Sequence, residues 1–376
     1  MLDRLFGLDD TGELAGLRNN IRLITGASGG MVAGGYLAAL ADEAGGNPGS
    51  IVEAMEADIL AAQDLSGVAV PGYPYPSRYP IPRDSLSAVA QQLVQRDIPG
   101  LLWPFAQRTD RGTVLEDQWP SLDRPFSALI AGEAAGWRPS IVFSPMLVET
   151  GQPLLITNLD MDQIRDDSYG ETAAFFDWFP GSRDSFRVKT AVRLNASFPY
   201  VAPAAALPTR PYRRVIDAGY YDNYGVDLAV AYLSRPRLRD WIVANCSGVA
   251  LIEIRAFPFP LPETKPTGSF ARGFQWLTTP LEGLVIARGS TMRFRNRQGL
   301  RRLRDAYREI TGRDFLVNAI FEVSSQTSMS WYLPDRELGE MKKALDHPVN
   351  QGAMEAQQFP IPDYSSWCLT WLAGMD

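Results

Sequence analysis

A short β-branched run that leads directly into a glycine-flanked serine is the feature that most limits how this chain can fold. The run Ile21–Thr25 stops at Gly26, and residues 31–42 then read as a helix of small residues. Between them lies the pentapeptide Gly26-Ala27-Ser28-Gly29-Gly30. The pattern predicts a strand, a tight glycine turn and a helix, which is a unit typical of α/β proteins.

Further apolar runs alternate with helical segments along the chain. The expected strands are residues 212–216, 249–254 and 315–323, the expected helices are 293–309 and 334–344, and residues 140–159 suggest a hairpin around 149–152. With no internal repeat, residues 1–376 are predicted to form a single α/β domain. The alternation of strands and helices over this length predicts a layered α/β sheet. The proline-rich stretches 68–104 and 257–266 are predicted to be irregular excursions.

Composition excludes several function classes. The 376 residues carry 36 basic and 43 acidic side chains, a net charge of -7, so nucleic-acid binding is not expected. No apolar run reaches the roughly 18 residues of a membrane span, which predicts a soluble chain. One histidine, His347, and two cysteines, Cys246 and Cys368, give no metal-ligand pattern. We therefore expect no metal and no cofactor, and both cysteines are predicted to be inert core thiols.

Ser28 is the candidate nucleophile. A sharp strand-to-helix turn holds the serine in a strained backbone conformation and exposes its hydroxyl at the helix N-terminus, where Gly29 N–H could stabilise an oxyanion. The same glycines could form a merely structural turn. A dinucleotide site is disfavoured, because Val32 stands where the short-chain dehydrogenase fingerprint needs glycine and the chain has no Tyr-x-x-x-Lys.

A serine nucleophile needs a base, and two residues compete for that role. His347 has the late position of an α/β-hydrolase histidine, but it closes a polar helix ahead of Pro348, which favours a surface residue. Asp217 ends a predicted strand and begins the loop 218–225, so its carboxylate could reach the sheet edge that holds Ser28. The simpler alternative for an aspartate at a strand end is a turn cap.

Together these residues resemble the patatin-like phospholipases, a family of Ser-Asp dyad lipid acyl hydrolases related to cytosolic phospholipase A2. The resemblance covers about residues 20–335. It is carried by Gly26–Gly30, by Asp217-Ala218-Gly219 with Asp222-Asn223, by Asn195–Pro199 with Ala202-Pro203, and more weakly by Val148–Gly151 and Ser330–Leu333.

The resemblance implies a three-layer patatin-like fold, with a central mixed, largely parallel sheet and helices on both faces. It also implies hydrolysis of fatty-acyl esters through an acyl-enzyme. Ser28 would attack, Asp217 would carry the proton, and Gly26, Gly29 and Gly30 would form the nucleophile elbow and part of the oxyanion hole. The partner would be a lipid or acyl-ester substrate, with no metal or cofactor. A cytoplasmic location or a peripheral contact with a membrane is expected.

Two departures from the family pattern leave alternatives open. Ala218 replaces the usual glycine after the aspartate, which keeps the carboxylate. The 25 residues before Gly26 contain no glycine run, so the N-terminal strand and glycine-rich oxyanion loop of the family are expected either upstream or not at all. A non-catalytic lipid-binding or scaffold protein is therefore the second hypothesis, and an α/β-hydrolase esterase using His347 is the third.

Overall fold

A computed structural model describes the following parts of the chain: residues 3, 5–6, 17–42, 50–65, 111–162, 171–197, 204–255, 269–322, 343 and 367–374. The proline-rich stretches 68–104 and 257–266, the predicted helix 334–344 apart from residue 343, and His347 lie outside these described residues.

Strands and helices alternate through most of the described part. The strands are β1 Ile21–Gly26, β2 Ser140–Val142, β3 Met146–Leu147, β4 Leu154–Leu155, β5 Ala173–Ala174, β6 Ala205–Leu207, β7 Arg213–Ile216, β8 Gly248–Arg255, β9 Leu316–Glu322 and β10 Trp367–Gly374. The helices are α1 Ser28–Leu40, α2 Ile51–Leu65, α3 Arg111–Glu116, α4 Ile130–Ala135, α5 Phe175–Trp178, α6 Val188–Asn195, α7 Val226–Leu233, α8 Pro236–Asn245 and α9 Ser269–Thr311. The described part is a mixture of helices and strands with small parallel and antiparallel sheets, which is compatible with the predicted α/β class.

The main sheet has five strands in the order β2-β1-β10-β8-β9, and every pair in it is parallel. Antiparallel pairing is found in a separate three-stranded sheet of order β3-β7-β6, so the described main sheet is not mixed as the sequence suggested. In the main sheet, β1 lies between β2 and β10. Thr25 pairs with Val142 of β2, and Gly26 pairs with Ala373 of β10. Its carboxyl end therefore opens at the edge where ligands bind in α/β sheets.

Alternate residues of β8 pack into two different apolar clusters. Ala250 and Ile252 join a cluster that includes buried residues of α1 and α6, whereas Val249 and Leu251 join one that includes buried residues of α7, α8 and α9. Because successive strand side chains point to opposite faces, helices cover β8 from both sides. This burial on both faces explains why every residue of 249–254 except Glu253 is apolar.

Side chains from other elements terminate α1, the helix that begins at Ser28. Arg138 donates to the carbonyls of Ala38 and Ala39, and Arg124 donates to Ala39 at 2.6 Å. These contacts satisfy carbonyls that lack an intrahelical partner. The helix ends at Leu40, two residues before the end of the helix that the sequence predicted over residues 31–42.

The cysteines correct one prediction. Cys246 is disulfide-bonded rather than an inert thiol. Cys368 is the only other cysteine in the sequence, and its backbone pairs with Val249 on the neighbouring strand. Two positions distant in sequence become neighbours because β8 and β10 pair in the sheet.

Among the described helices, none combines the length and the apolar character needed to cross a lipid bilayer.

Candidate active site

Ser28 lies at the sharp turn between β1 and α1. Ala27 is still extended, with φ -134° and ψ 160°, whereas Ser28 has φ +51° as the first residue of α1. Within the described residues, Ser28 is the only non-glycine residue with positive φ. This conformation costs an L-residue about 1–2 kcal/mol, and such strain concentrates at functional sites. The strained serine predicted from the sequence is confirmed.

Asp217 directly follows β7 and is 2% exposed. Its Oδ1 accepts a hydrogen bond from the N–H of Gly219 at 2.7 Å and so caps the short 3-10 turn Ala218–Tyr220. The turn cap, which was the simpler alternative to a catalytic role for Asp217, is therefore present. A carboxylate has two acceptor oxygens, so a cap through Oδ1 also fixes the direction of the group and is compatible with chemistry at Oδ2.

The Asp217 loop packs beside the Ser28 turn. A methyl group placed on Gly219 would lie 2.9 Å from Oδ1 of Asp217 and 3.8 Å from Cβ of Ala27, the residue before Ser28. The aspartate carboxylate and the serine turn therefore border the same small space. Ser28 is itself only 7% exposed, so it is buried rather than exposed as the sequence predicted, and this space is largely shielded from bulk water.

Gly225, at the far end of the same loop, closes directly on the end of β1. The buried Thr25 hydroxyl donates to the Gly225 carbonyl at 2.9 Å. Gly225 has φ +67°, and a Cβ there would lie 2.5 Å from the backbone N of Gly26. Only glycine meets both requirements, because it has no Cβ and adopts positive φ readily. The loop is thus held against the serine turn at both of its ends.

Asn195 links this turn to a third segment. Its side chain is fully buried, with Nδ2 donating to the Gly26 carbonyl at 3.3 Å and Oδ1 accepting from the N–H of Ser144 at 2.7 Å. Two residues later, the Ser197 carbonyl accepts from the N–H of Asp217 at 3.3 Å. Residues 195–197, part of the segment that carried the family resemblance, therefore bridge the serine turn and the aspartate. Residues 198–203 lie outside the described part.

A buried carboxylate organises the loop between Asp217 and α7. Asp222 accepts hydrogen bonds from the N–H groups of Tyr224, Gly225 and Leu228. Burial, reinforced by the negative charge of Asp227, raises the pKa of Asp222 to about 7. Burying a charged carboxylate at this position costs free energy. The three N–H groups that Asp222 accepts from hold the loop in the conformation that packs Gly225 against β1.

An ionic cluster that no sequence motif predicted lies at the carboxyl ends of β8 and β9. Arg255 Nε donates to Glu253 at 2.7 Å, and its Nη1 donates to Glu322 at 2.9 Å. The guanidinium also lies 5.5 Å from the ring centre of Tyr224. Burial raises the pKa of Glu253, which is 1% exposed. The sequence feature that could have predicted this cluster is Glu253, a glutamate inside the otherwise apolar run 249–254.

The remaining predicted site residues fall as follows. Gly26 ends β1, and Gly29 and Gly30 lie in the first turn of α1, next to Ser28. His347 is outside the described residues. Across the part of the chain that the structure describes, no cluster of three or more histidine, cysteine or acidic side chains is arranged to hold a metal ion.

Comparison of the chain with known protein families finds no matching family, and comparison with curated proteins finds no relative. The resemblance to patatin-like phospholipases therefore stays a prediction, carried by the residues themselves.

Proposed function

We propose that this protein is an acyl-ester hydrolase that uses Ser28 as nucleophile and Asp217 as the proton-carrying base. The observation that carries the proposal is the strained Ser28 at the N-terminus of α1, with the Asp217 loop packed against the same turn. A serine at positive φ with a buried carboxylate beside its turn has a chemical use in acyl transfer, whereas a simple structural turn would be more stable with glycine at that position.

The mechanism would proceed in two steps. Asp217 takes the Ser28 hydroxyl proton as Oγ attacks the ester carbonyl, and the resulting oxyanion is stabilised by the positive end of α1 and the N–H of Gly29. The proton passes to the departing alcohol, which leaves an acyl-enzyme. Water then attacks the acyl-enzyme with Asp217 as base, and the acid is released with Ser28 protonated again.

Burial supports aspartate as the base. A solvated carboxylate has a pKa near 4 and is a weak base toward a hydroxyl. Asp217 is 2% exposed and Ser28 is 7% exposed, so the pair lies in a water-poor setting, where a hydrogen bond between a hydroxyl and a carboxylate is stronger than in water. No metal ion or cofactor is needed for these steps.

The substrate class rests on the family resemblance. A patatin-like three-layer fold over the single domain 1–376 would make the protein a lipid acyl hydrolase, a phospholipase or esterase acting on fatty-acyl esters at a membrane surface. The parallel sheet, with Ser28 at the carboxyl end of β1, is compatible with that architecture.

A non-catalytic lipid-binding protein of the same fold is the second candidate. The specific observation in its favour is the Asp217 cap on Gly219, since an aspartate retained only to cap a turn would look the same. The substitution Asp217→Asn separates the two roles. Asparagine has the same shape and keeps an acceptor for the N–H of Gly219, but it cannot act as the base.

The test combines covalent labelling with ester hydrolysis. A fluorophosphonate probe should label wild type on Ser28, and Ser28→Ala should abolish labelling and hydrolysis of a p-nitrophenyl ester. Ser185→Ala, at an exposed serine, is the matched control and should leave both unchanged. Asp217→Asn should lower hydrolysis by about 10²- to 10⁴-fold, whereas His347→Ala should change it by less than about threefold.

Three results would contradict the proposal. Labelling that persists in Ser28→Ala would place the nucleophile elsewhere. Activity that collapses in His347→Ala and survives in Asp217→Asn would establish the histidine hydrolase instead. A folded wild type with neither labelling nor hydrolysis would favour the non-catalytic lipid-binding protein.

A further inference from the structure

A cavity separate from the serine site lies between α7, α8 and α9. It has a volume of about 570 Å³, and neither Ser28 nor Asp217 lines it. Gly299 of α9 lies against α7 here, since a Cβ at this position would be 3.3 Å from Val230 Cγ1. We call this cavity the arginine groove because Arg239, Arg295 and Arg302 line it.

The three arginines converge from two helices. Arg239 lies near the start of α8, and Arg295 and Arg302 lie on α9 seven residues apart. Residues spaced by seven lie on the same face of an α-helix, two turns apart. The two helices therefore direct three guanidinium groups to one cavity.

The acidic residues nearby neutralise only part of this charge. Arg295 forms an ion pair with Asp227, which is the one acidic residue among the described residues that line the groove. Arg239 reaches Asp240 at 3.5 Å, in a pair whose aspartate is 69% exposed. Within the described residues, Arg302 has no ion pair. The groove is therefore locally positive on a protein whose net charge is -7.

A hydrogen-bond donor in the groove lacks an acceptor. The Nε of Arg239 is buried and has no hydrogen-bond partner among the described residues. A buried donor without an acceptor destabilises the folded protein, and an acceptor supplied by a ligand would remove that cost. Gln298 and Ser234 add further polar groups to the lining.

We propose that the arginine groove binds a phosphate-class anion, either free phosphate or the phosphate group of a phosphomonoester or phospholipid. Guanidinium groups present planar forks of donors that match the several acceptor oxygens of phosphate. A volume of about 570 Å³ exceeds that of a single phosphate, so an organic substituent would also be accommodated. The inference does not depend on the proposed hydrolysis.

The groove also contacts the loop that carries Asp217. Tyr221 and Asp227 line it, and Arg295 Nη2 donates to the Tyr221 carbonyl at 3.4 Å. An anion in the groove would bind to side chains that hold this loop to α9. Binding should therefore raise the thermal midpoint of the protein as well as produce heat in calorimetry.

The experiment measures binding by titration calorimetry and thermal shift, at constant ionic strength maintained with chloride. The probes are inorganic phosphate, glycerol 3-phosphate, and vesicles of phosphatidylcholine with or without phosphatidic acid. The variants are Arg302→Gln and Arg239→Gln, and Arg301→Gln is the matched control, because Arg301 precedes Arg302 on α9 but does not line the groove. Arg302 is exposed, so its replacement leaves the core intact even if Arg239→Gln impairs folding.

We expect saturable binding of at least one phosphate probe, weakened about tenfold or more by each groove variant and by less than about twofold in Arg301→Gln. Binding of the soluble probes identifies free phosphate or a phosphomonoester as the ligand. Binding only to vesicles with phosphatidic acid identifies a lipid head group. No saturable binding of any probe, or equal weakening in Arg301→Gln and Arg302→Gln, would overturn the proposal.

Discussion

Replacing Ser28 by glycine and by alanine gives opposite expectations for a strained turn and for an ordinary helix position. Both replacements remove the hydroxyl, so the difference between them reports only on the backbone and Cβ. In a regular helix, glycine is about 1 kcal/mol less favourable than alanine. At φ +51°, alanine keeps the strain and glycine relieves it. Ser28→Gly should therefore be more stable than Ser28→Ala by about 1 kcal/mol.

Ala33, within the same helix α1, provides the control. Wild type has alanine at this ordinary helical position, so Ala33→Gly should lower the free energy of unfolding by about 1 kcal/mol. Each comparison deletes one Cβ, so the loss of a methyl contact affects both. The two alanine-to-glycine differences should therefore have opposite signs and differ by about 2 kcal/mol.

Equilibrium urea unfolding followed by tryptophan fluorescence is a suitable assay, because an unchanged slope with a shifted midpoint reports a change in stability alone. The contrary result is that Ser28→Gly is less stable than Ser28→Ala by as much as Ala33→Gly is less stable than wild type. Position 28 would then be an ordinary helix position, and the main structural argument for a nucleophile would be lost.

Three further predictions concern the surroundings of the site. Gly225→Ala should lower the free energy of unfolding, measured by urea unfolding, by about 2–4 kcal/mol. Gly225 has φ +67°, and a Cβ there would lie 2.5 Å from the backbone N of Gly26. An unchanged urea midpoint would contradict the described packing. The pKa of Asp222 rises from 3.8 to about 7, so the folded state holds a proton that the unfolded state has lost between these values. The free energy of unfolding should therefore fall by up to about 4 kcal/mol as pH rises from 4 to 7. Thermal midpoints of Asp222→Asn should depend less on pH over this window. Parallel pH profiles for wild type and Asp222→Asn would refute this prediction. Maleimide should label no thiol in unreduced, denatured protein and two thiols after reduction. Cys246→Ser should lower the free energy of unfolding by about 4–5 kcal/mol, because the disulfide closes a long loop. Two thiols labelled without reduction would exclude the disulfide.

Local sequence was sufficient for the secondary structure around Ser28 and for several strands. The runs 212–216, 249–254 and 315–323 correspond to β7, β8 and β9 within one or two residues at each end. Hydrophobic periodicity and glycine preferences act over a few residues, so they are readable without knowledge of the fold. The Ser28 backbone is such a case, because glycines on both sides of a serine between strand and helix leave few conformations open.

Only the tertiary structure decided which distant residues meet at that turn. Gly219, Gly225 and Asn195 contact the turn at residues 25–27 because β1, β7 and α6 converge there, and no local pattern contains that distance information. The same holds for the pairing of β8 with β10, which places Cys246 near Cys368, and for the packing of α8 and α9, which brings three arginines into one groove. The sequence alone determined the local conformation at Ser28 and the α/β class, because short-range sterics and periodic burial govern both. Pairing across the sheet, burial of Asp222 and the positive groove follow from long-range packing, whose free energy is set by contacts between segments far apart in the chain.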